Sequence, residues 1–228
     1  MSTPEKYTAT IKEKRWLTSD VFFVTLELDR PMQFKAGQFV MLDLPQPGER
    51  PRPFSMANAP KKNGSGTIEI CMKRYETSVT APYLDSLPSN SSVTLRGPFG
   101  FFTLRDSPRP VFFVATGVGI APILGMMRDE QNKKTNRDMQ LLFGVRYDTD
   151  CIFMDELAAT LPHCTMTLSQ PSDAWKGARG RVTEHLNALE RPEQFDFYLC
   201  GNPDMVKETR DLLLSRNVSA ERVYFEIF

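Results

Sequence analysis

The sequence is poor in what most metal and thiol chemistry requires. Its 228 residues hold two histidines, His163 and His185, and four cysteines, Cys71, Cys151, Cys164 and Cys200, with no CxxC pair and no His/Cys grouping at ligand spacing. That pattern excludes a zinc ribbon or an iron–sulfur cluster held by this stretch, so no metal ligands are expected and the thiols should be reduced. An excess of charge of one sign is also missing, since Lys plus Arg and Asp plus Glu number 28 each. Overall electrostatics therefore give no reason to expect nucleic acid or an anionic membrane as partner. No apolar run approaches the roughly 20 residues of a spanning helix. The opening "MSTPEKYTATIKEKRW" lacks the apolar centre of a signal peptide. The expectation is a cytoplasmic protein.

What is present is an ordinary globular composition, 41% hydrophobic and 25% charged, in a chain long enough for two domains of about 100 to 130 residues. From Tyr7 to about Leu104, alternating β-branched and aromatic runs ("YTATIKEKRWL", "VFFVTLEL", "QFVMLDL", "GTIEICMKRY", "SSVTLRGPFG") predict an antiparallel barrel or sandwich. One helix is expected to interrupt it near "APYLDSL", after Pro82. Beyond Arg109 buried strands alternate with helices: "VFFVATG", "PILGMMRDEQNKK", "MQLLFGVR", "CIFMDELAATL", "CTMTLSQ", "RVTEHLNAL", "FDFYLCG" and "PDMVKETRDLLLSR", closing on the strand-like "RVYFEIF". This alternation predicts a parallel sheet covered by helices. The break falls in "RDSPRP", giving domains 1–105 and 106–228, and function is expected between them.

Two stretches carry chemistry. In "RPRPFSMANAP", Pro51 and Pro53 hold the chain extended and cannot donate to a ladder, so an edge position is expected. Arg52, Phe54 and Ser55 then suit an anion attached to a flat ring, or simply decorate that edge. In "TGVGIAP", Gly117 and Gly119 permit a tight strand-to-helix turn and Pro122 suits the first helical turn, where its missing N–H costs nothing. A phosphate at that helix start is reasonable, although GxGxxP is not the GxGxxG dinucleotide pattern and a plain turn explains it equally. Strand ends at Gly117, Gly144 and Gly201 would line one rim of an open sheet, where ligands bind. Cys200 beside that rim is either a ligand neighbour or a small apolar filler.

The order "RPFS", "GPFG", "TGVGIAP", "CGNP" and a terminal aromatic resembles the ferredoxin–NADP reductase superfamily over essentially the whole chain. "RPFSMANAP", "GTIEICMKR" and "AWKGARGRV" are similar to NAD(P)H-dependent flavin reductases and oxygenase reductase components. The resemblance implies a six-stranded antiparallel flavin-binding β barrel followed by a parallel α/β nicotinamide-nucleotide domain. It implies that Arg52, with Pro53 beside it, meets the flavin phosphates, that Phe54 stacks on the isoalloxazine, and that Ser55 bonds near N5. Backbone from Ile70 through Cys71 to Met72 would line the flavin, with Lys73 and Thr80 toward its phosphates. Thr116, Gly117, Val118, Gly119 and Pro122 would hold the nucleotide's pyrophosphate region, with Arg146 at the adenosine end, and Cys200, Gly201, Asn202 and Pro203 would sit beside the nicotinamide. Phe225, Glu226 and Phe228 match the family's aromatic and acidic tail, an aromatic covering the flavin until nicotinamide displaces it. Ser55, Cys200 and Glu226 are the implied catalytic residues.

Three positions depart from the family pattern. Ser78 of "TSVTAPYL" stands where glycine is usual, Phe54 replaces a tyrosine, and Val118 replaces a threonine. Each removes about one hydrogen bond of roughly 0.5–1.5 kcal/mol and points to looser flavin binding. The implied cofactors are FAD, with FMN as alternative, and NADH or NADPH; Asp148 and Asp150 after Arg146 favour NADH. The implied acceptor is a separate ferredoxin, flavodoxin or oxygenase component. Free flavin as a diffusible substrate, or a flavin-binding electron-transfer subunit without its own turnover, are the alternatives.

Overall fold

A computed structural model of the chain describes residues 3–44 and 50–227. By clustering of contacts it divides into two compact units, 1–104 with 124–132 and 105–123 with 133–228.

The first unit is a six-stranded antiparallel sheet. Its strands are β1 (Glu5–Trp16), β2 (Val21–Met32), β3 (Phe39–Leu42), β4 (Arg52–Ser55), β5 (Ser65–Lys73) and β6 (Ser92–Phe99), with α1 (Thr80–Ser86) between the last two. Strand order is β4-β3-β6-β1-β2-β5. In β1 the residues Tyr7, Ala9 and Ile11 point inward while their neighbours face out, the period of a half-buried strand. A shift in register between Ile11 and Glu13 bends the strand. Inward side chains of all six strands, among them Phe22, Leu26, Val40, Met56, Ile70 and Leu95, form one core. An antiparallel bridge between Met56 and Ile70 joins the two outer strands and closes the sheet into a barrel. The helix begins at Thr80, two residues before Pro82, because proline is tolerated throughout the first turn, where no intrahelical N–H bond is lost. Lys14 Nζ donates to the Asp85 and Leu87 carbonyls at 2.7 and 2.6 Å and caps the other end.

The second unit is a parallel sheet of β7 (Val111–Thr116), β8 (Met139–Val145), β9 (His163–Leu168), β10 (Ala178–Arg179), β11 (Asp196–Gly201) and β12 (Val223–Ile227), in the order β10-β9-β8-β7-β11-β12. It holds the two ends of α2 (Ile120–Lys133), whose residues 124–132 cluster with the first unit, and the helices α3 (Met154–Thr160), α4 (Val182–Asn187) and α5 (Pro203–Ser215). The strands β7 and β11 are buried along nearly their whole length, as strands covered on both faces must be. From β7 the chain steps outward through β8, β9 and β10, then returns to the opposite side of β7 for β11 and β12. Strand order therefore reverses between β7 and β11, the place where open α/β sheets bind ligands. The expected helix at Cys151–Leu161 is shorter, starting at Met154, because Phe153 takes a left-handed φ of 58° that helical backbone cannot continue from.

Burial leaves a titration signature in both units. It pushes the Cys71 thiol and the Tyr198 hydroxyl up to about 12, and raises Cys200, Cys164, Cys151 and Tyr7 as well. For each of these acids the folded value exceeds the unfolded one, so the folded state keeps protons that the unfolded state releases. Stability is then fully present below pH 9 and falls as pH rises, by on the order of 1.4 kcal/mol per pH unit for each buried thiol. The melting midpoint should hold up to about pH 8.5 and decline steadily above 9; a midpoint constant to pH 11 would contradict the burial of these groups.

Candidate functional site

In the first unit the site grows from barrel closure. As an edge strand of four residues, β4 pairs Leu42 with Arg52, Met41 with Pro53, Val40 with Phe54 and Phe39 with Ser55. The two prolines fit because the outer edge of β4 needs no N–H donors. Alternation along β4 leaves Arg52 and Pro53 exposed, Phe54 half-buried with its inner side on the barrel core, and Ser55 buried. The closing bridge at Met56 sets the end of this strand next to β5, so Phe54 and Ser55 approach the strand that carries Ile70, Cys71 and Met72, all three buried. A guanidinium, a flat ring and strand backbone gathered in that way suit a phosphate-bearing planar ligand.

Two further residues are occupied locally. Lys73 Nζ lies 3.0 Å from Asp20, whose carboxyl that contact helps hold below the ordinary carboxylate range against its own burial. Ser78 is spent on a turn, its hydroxyl accepting from Tyr75 N at 2.8 Å. Thr80 is buried as the first residue of α1. The phosphate end thus offers fewer ready side chains than the superfamily pattern implies.

In the second unit the residues meet at the carboxyl ends of β7, β8 and β11. Thr116 pairs with Gly144, and Cys200 pairs with Ala115, which brings Gly201 level with Thr116. Asn202 N donates to Thr116 Oγ1 at 3.1 Å, and the Asn202 side chain then caps α5 by accepting from Asp204 N and Met205 N. Pro203 opens that helix. Gly119 packs against β11: a Cβ there would lie 2.6 Å from the Gly201 Cα. Gly117 is different, for it has φ +54° and a Cβ would meet nothing within 4 Å. Val118 is half-buried, and Pro122 is buried in the first turn of α2. The turn is therefore fixed on the Gly119 side and open on the Gly117 side, as backbone approached by a phosphate has to be.

Cys200 is fully buried, and burial followed by the nearby Glu226 carboxylate raises its thiol well above the ordinary range, so it is a small neutral group at neutral pH. In register, Cys200 pairs with Glu226 and Leu199 with Phe225, which is 46% exposed. Phe228 lies outside the described residues. At the end of β8, Arg146 and Tyr147 are exposed, with the guanidinium 6.0 Å from the ring. Asp148 accepts from Ser172 N at 2.8 Å and Ser172 Oγ at 3.0 Å, the backbone bond chiefly holding its carboxyl below the usual range. Asp150 accepts from Tyr147 N at 3.0 Å. Sequence alone missed the Ser172 contact, since the two residues stand 24 apart. Among the described residues, no group of three or more His, Cys, Asp or Glu could hold a metal ion. No described helix is long and apolar enough to cross a membrane.

Residues 8–104 match the family described as the oxidoreductase FAD-binding domain, and residues 113–211 the oxidoreductase NAD-binding domain. Over 195 residues the chain is 36% identical to a protein named ferredoxin–NADP reductase B of Sorangium cellulosum, covering 78% of each. It is 27% identical over 231 residues to the toluate 1,2-dioxygenase electron transfer component of Pseudomonas putida, covering 97% of this chain and 67% of that one. A solved ferredoxin reductase of carbazole 1,9a-dioxygenase superposes with a TM-score of 0.89 at 26% identity, over 100% of this chain and 70% of that one.

Proposed function

The chain belongs to the ferredoxin–NADP reductase superfamily of NAD(P)H-dependent flavoprotein reductases, and from that premise we propose that it draws electrons from NADH into bound FAD and delivers them to a separate redox protein. The observation that carries the flavin half is barrel closure, which brings the end of the strand that presents exposed Arg52 and half-buried Phe54 to β5. When bound, the flavin supplies the chemistry: it accepts two electrons as hydride at N5 and passes them on. The chain's own residues align and tune. Arg52 would meet the phosphates with charge-assisted hydrogen bonds, Phe54 would offer its outer face to the flat ring, and Ser55 would offer a hydroxyl to the ring's edge. The backbone of Ile70 to Met72 lines the ring. The turn Thr116–Gly119, with Pro122 at the start of α2, receives the pyrophosphate. Cys200 to Pro203 form the wall beside the nicotinamide, where a neutral buried thiol excludes water without adding charge. Glu226 is assigned the exchange of a proton, and Phe225 the shielding of the ring.

The relatives are ferredoxin reductases and oxygenase electron transfer components, which supports a ferredoxin or an oxygenase component as acceptor, with a flavodoxin as a further candidate. One observation favours a second reading, release of reduced free flavin. Lys73 and Ser78 are engaged locally, which weakens the phosphate end of the flavin site. Gel filtration separates the two, because a protein-linked reductase keeps its FAD and a free-flavin reductase loses it. NADH oxidation with no partner added excludes a subunit lacking turnover. A cytoplasmic location belongs to the same reading, supported by four cysteines that are all free thiols.

Nucleotide choice depends on charge at the end of β8. Asp148 and Asp150 are pinned by Ser172 and Tyr147, so they act through their charge and not as hydrogen-bond partners of a ribose. Two fixed carboxylates oppose a 2′-phosphate, and of the nearby cations Arg179 is engaged with the Ser172 carbonyl and Asp148, which leaves Arg146 to attract it less than they repel. The expected kcat/KM for NADH exceeds that for NADPH by about tenfold, or about 1.4 kcal/mol. Preference for NADPH at matched ionic strength would reverse the assignment.

A further inference from the structure

Phe54 and Ser55 end a strand only four residues long, so the segment that follows must fix their pose. Met56 N donates to Gln38 O at 3.0 Å and Ala57 N to Glu69 O at 2.8 Å. Asn58 spans β5 with its amide, accepting from Glu69 N at 2.9 Å and donating to Thr67 O at 3.0 Å. The Ala57 carbonyl accepts from Arg128 Nη1 of α2 at 3.0 Å, and that same nitrogen lies 2.6 Å from the Glu69 carboxylate. Three residues earlier on α2, a Cβ on Gly125 would lie 2.9 Å from the Met56 carbonyl. The helix therefore rests on residues 56–58 at backbone distance, and a single guanidinium bridges the end of the β4 segment to β5. With side chains only 23% and 29% exposed, this ion pair is shielded from the screening that empties surface pairs of value.

We propose that Arg128 is a positioning residue for the flavin: by holding the Ala57 carbonyl and Glu69 together it sets the angle at which Phe54 and Ser55 face the ring. This rests on the FAD reading above. Loss of the guanidinium removes this tie from α2 and leaves the strand ladder and the Asn58 amide to hold the segment that follows Phe54 and Ser55. Arg128 needs no contact with the flavin for this, and the bland alternative is a fastener that contributes stability without affecting the bound cofactor.

The test compares Arg128→Met, Arg128→Lys and Glu69→Gln with the parent chain, each freed of flavin and titrated with FAD. Kd, visible circular dichroism of the bound flavin and the melting midpoint of the flavin-free protein are read on the same samples. Arg128→Met should weaken FAD binding about tenfold, in keeping with loss of one charge-assisted hydrogen bond, and should alter the circular dichroism, while the midpoint moves by less than about 4 °C. Lysine retains the positive charge and can still donate to one of the two acceptors, so it should bring Kd back to within about threefold and restore the dichroism. A lower midpoint with Kd and dichroism of the folded fraction unchanged would overturn the proposal. Should the methionine variant not fold, the isosteric Glu69→Gln is read by the same criteria. A parent chain that takes up no FAD would instead reject the flavin reading itself.

Discussion

Arg52→Ala should yield a folded protein that no longer retains FAD. The side chain is exposed on an edge strand and the residue's partner in register is Leu42, so its removal opens no cavity. What it removes is a guanidinium proposed to meet the flavin phosphates, while Lys73 is 3.0 Å from Asp20 and the Ser78 hydroxyl closes a local turn. Hydrogen bonds to charged groups contribute about 1.5–3 kcal/mol each, so FAD affinity should fall by roughly 10- to 150-fold. Flavin absorbance after gel filtration and the melting midpoint of the flavin-free protein read the two effects separately. Retained flavin would remove Arg52 from the site. A collapsed midpoint would show that the arginine serves the barrel.

Two glycines on the rim of the second sheet should respond in opposite ways to the same added methyl. At Gly201, φ is +138° and a Cβ would lie 2.7 Å from the Thr116 carbonyl oxygen and 3.0 Å from its nitrogen. Backbone strain of about 1–3 kcal/mol adds to overpacking of about 1–3 kcal/mol, and the neighbours are backbone that cannot move aside. Gly201→Ala should lower the melting midpoint by on the order of 10 °C. At Gly117 the φ of +54° carries a penalty of about 1–2 kcal/mol, but a Cβ meets nothing within 4 Å. Gly117→Ala should therefore melt within about 5 °C of the parent while its KM for NADH rises about tenfold or more, because the methyl fills the space assigned to the pyrophosphate. Unchanged KM would move the nucleotide away from this turn.

The parts of the fold that sequence revealed are those where one residue's burial repeats with a fixed period. Alternation in β1 and the unbroken apolar run of β7 announced an antiparallel half and a parallel half before any coordinates. The two-residue strand β10 could not be read, since no period exists over Ala178 and Arg179 and its pairing with β9 is set by distant packing. Helix starts were misplaced at Pro82 and Cys151 for local reasons: proline permits two residues before it, and Phe153 adopts a left-handed backbone that no composition signals.

Of the candidate site, Arg52, Phe54 and the glycine turn were legible because proline and glycine constrain the backbone wherever they occur. The Arg128–Glu69 pair was not, for each residue alone looks like a solvated charge and 59 positions separate them. The same holds for Asp148, which sequence shows as a charge favouring NADH and the structure bonds to Ser172.

Anaerobic titration of the FAD-loaded protein with NADH tests the central claim most directly. The account predicts that one equivalent of NADH bleaches the visible absorbance of the bound flavin fully within the mixing time of a hand titration, and that a ferredoxin-type acceptor then restores it. A protein that holds FAD whose absorbance stays unchanged through excess NADH and excess NADPH would contradict it.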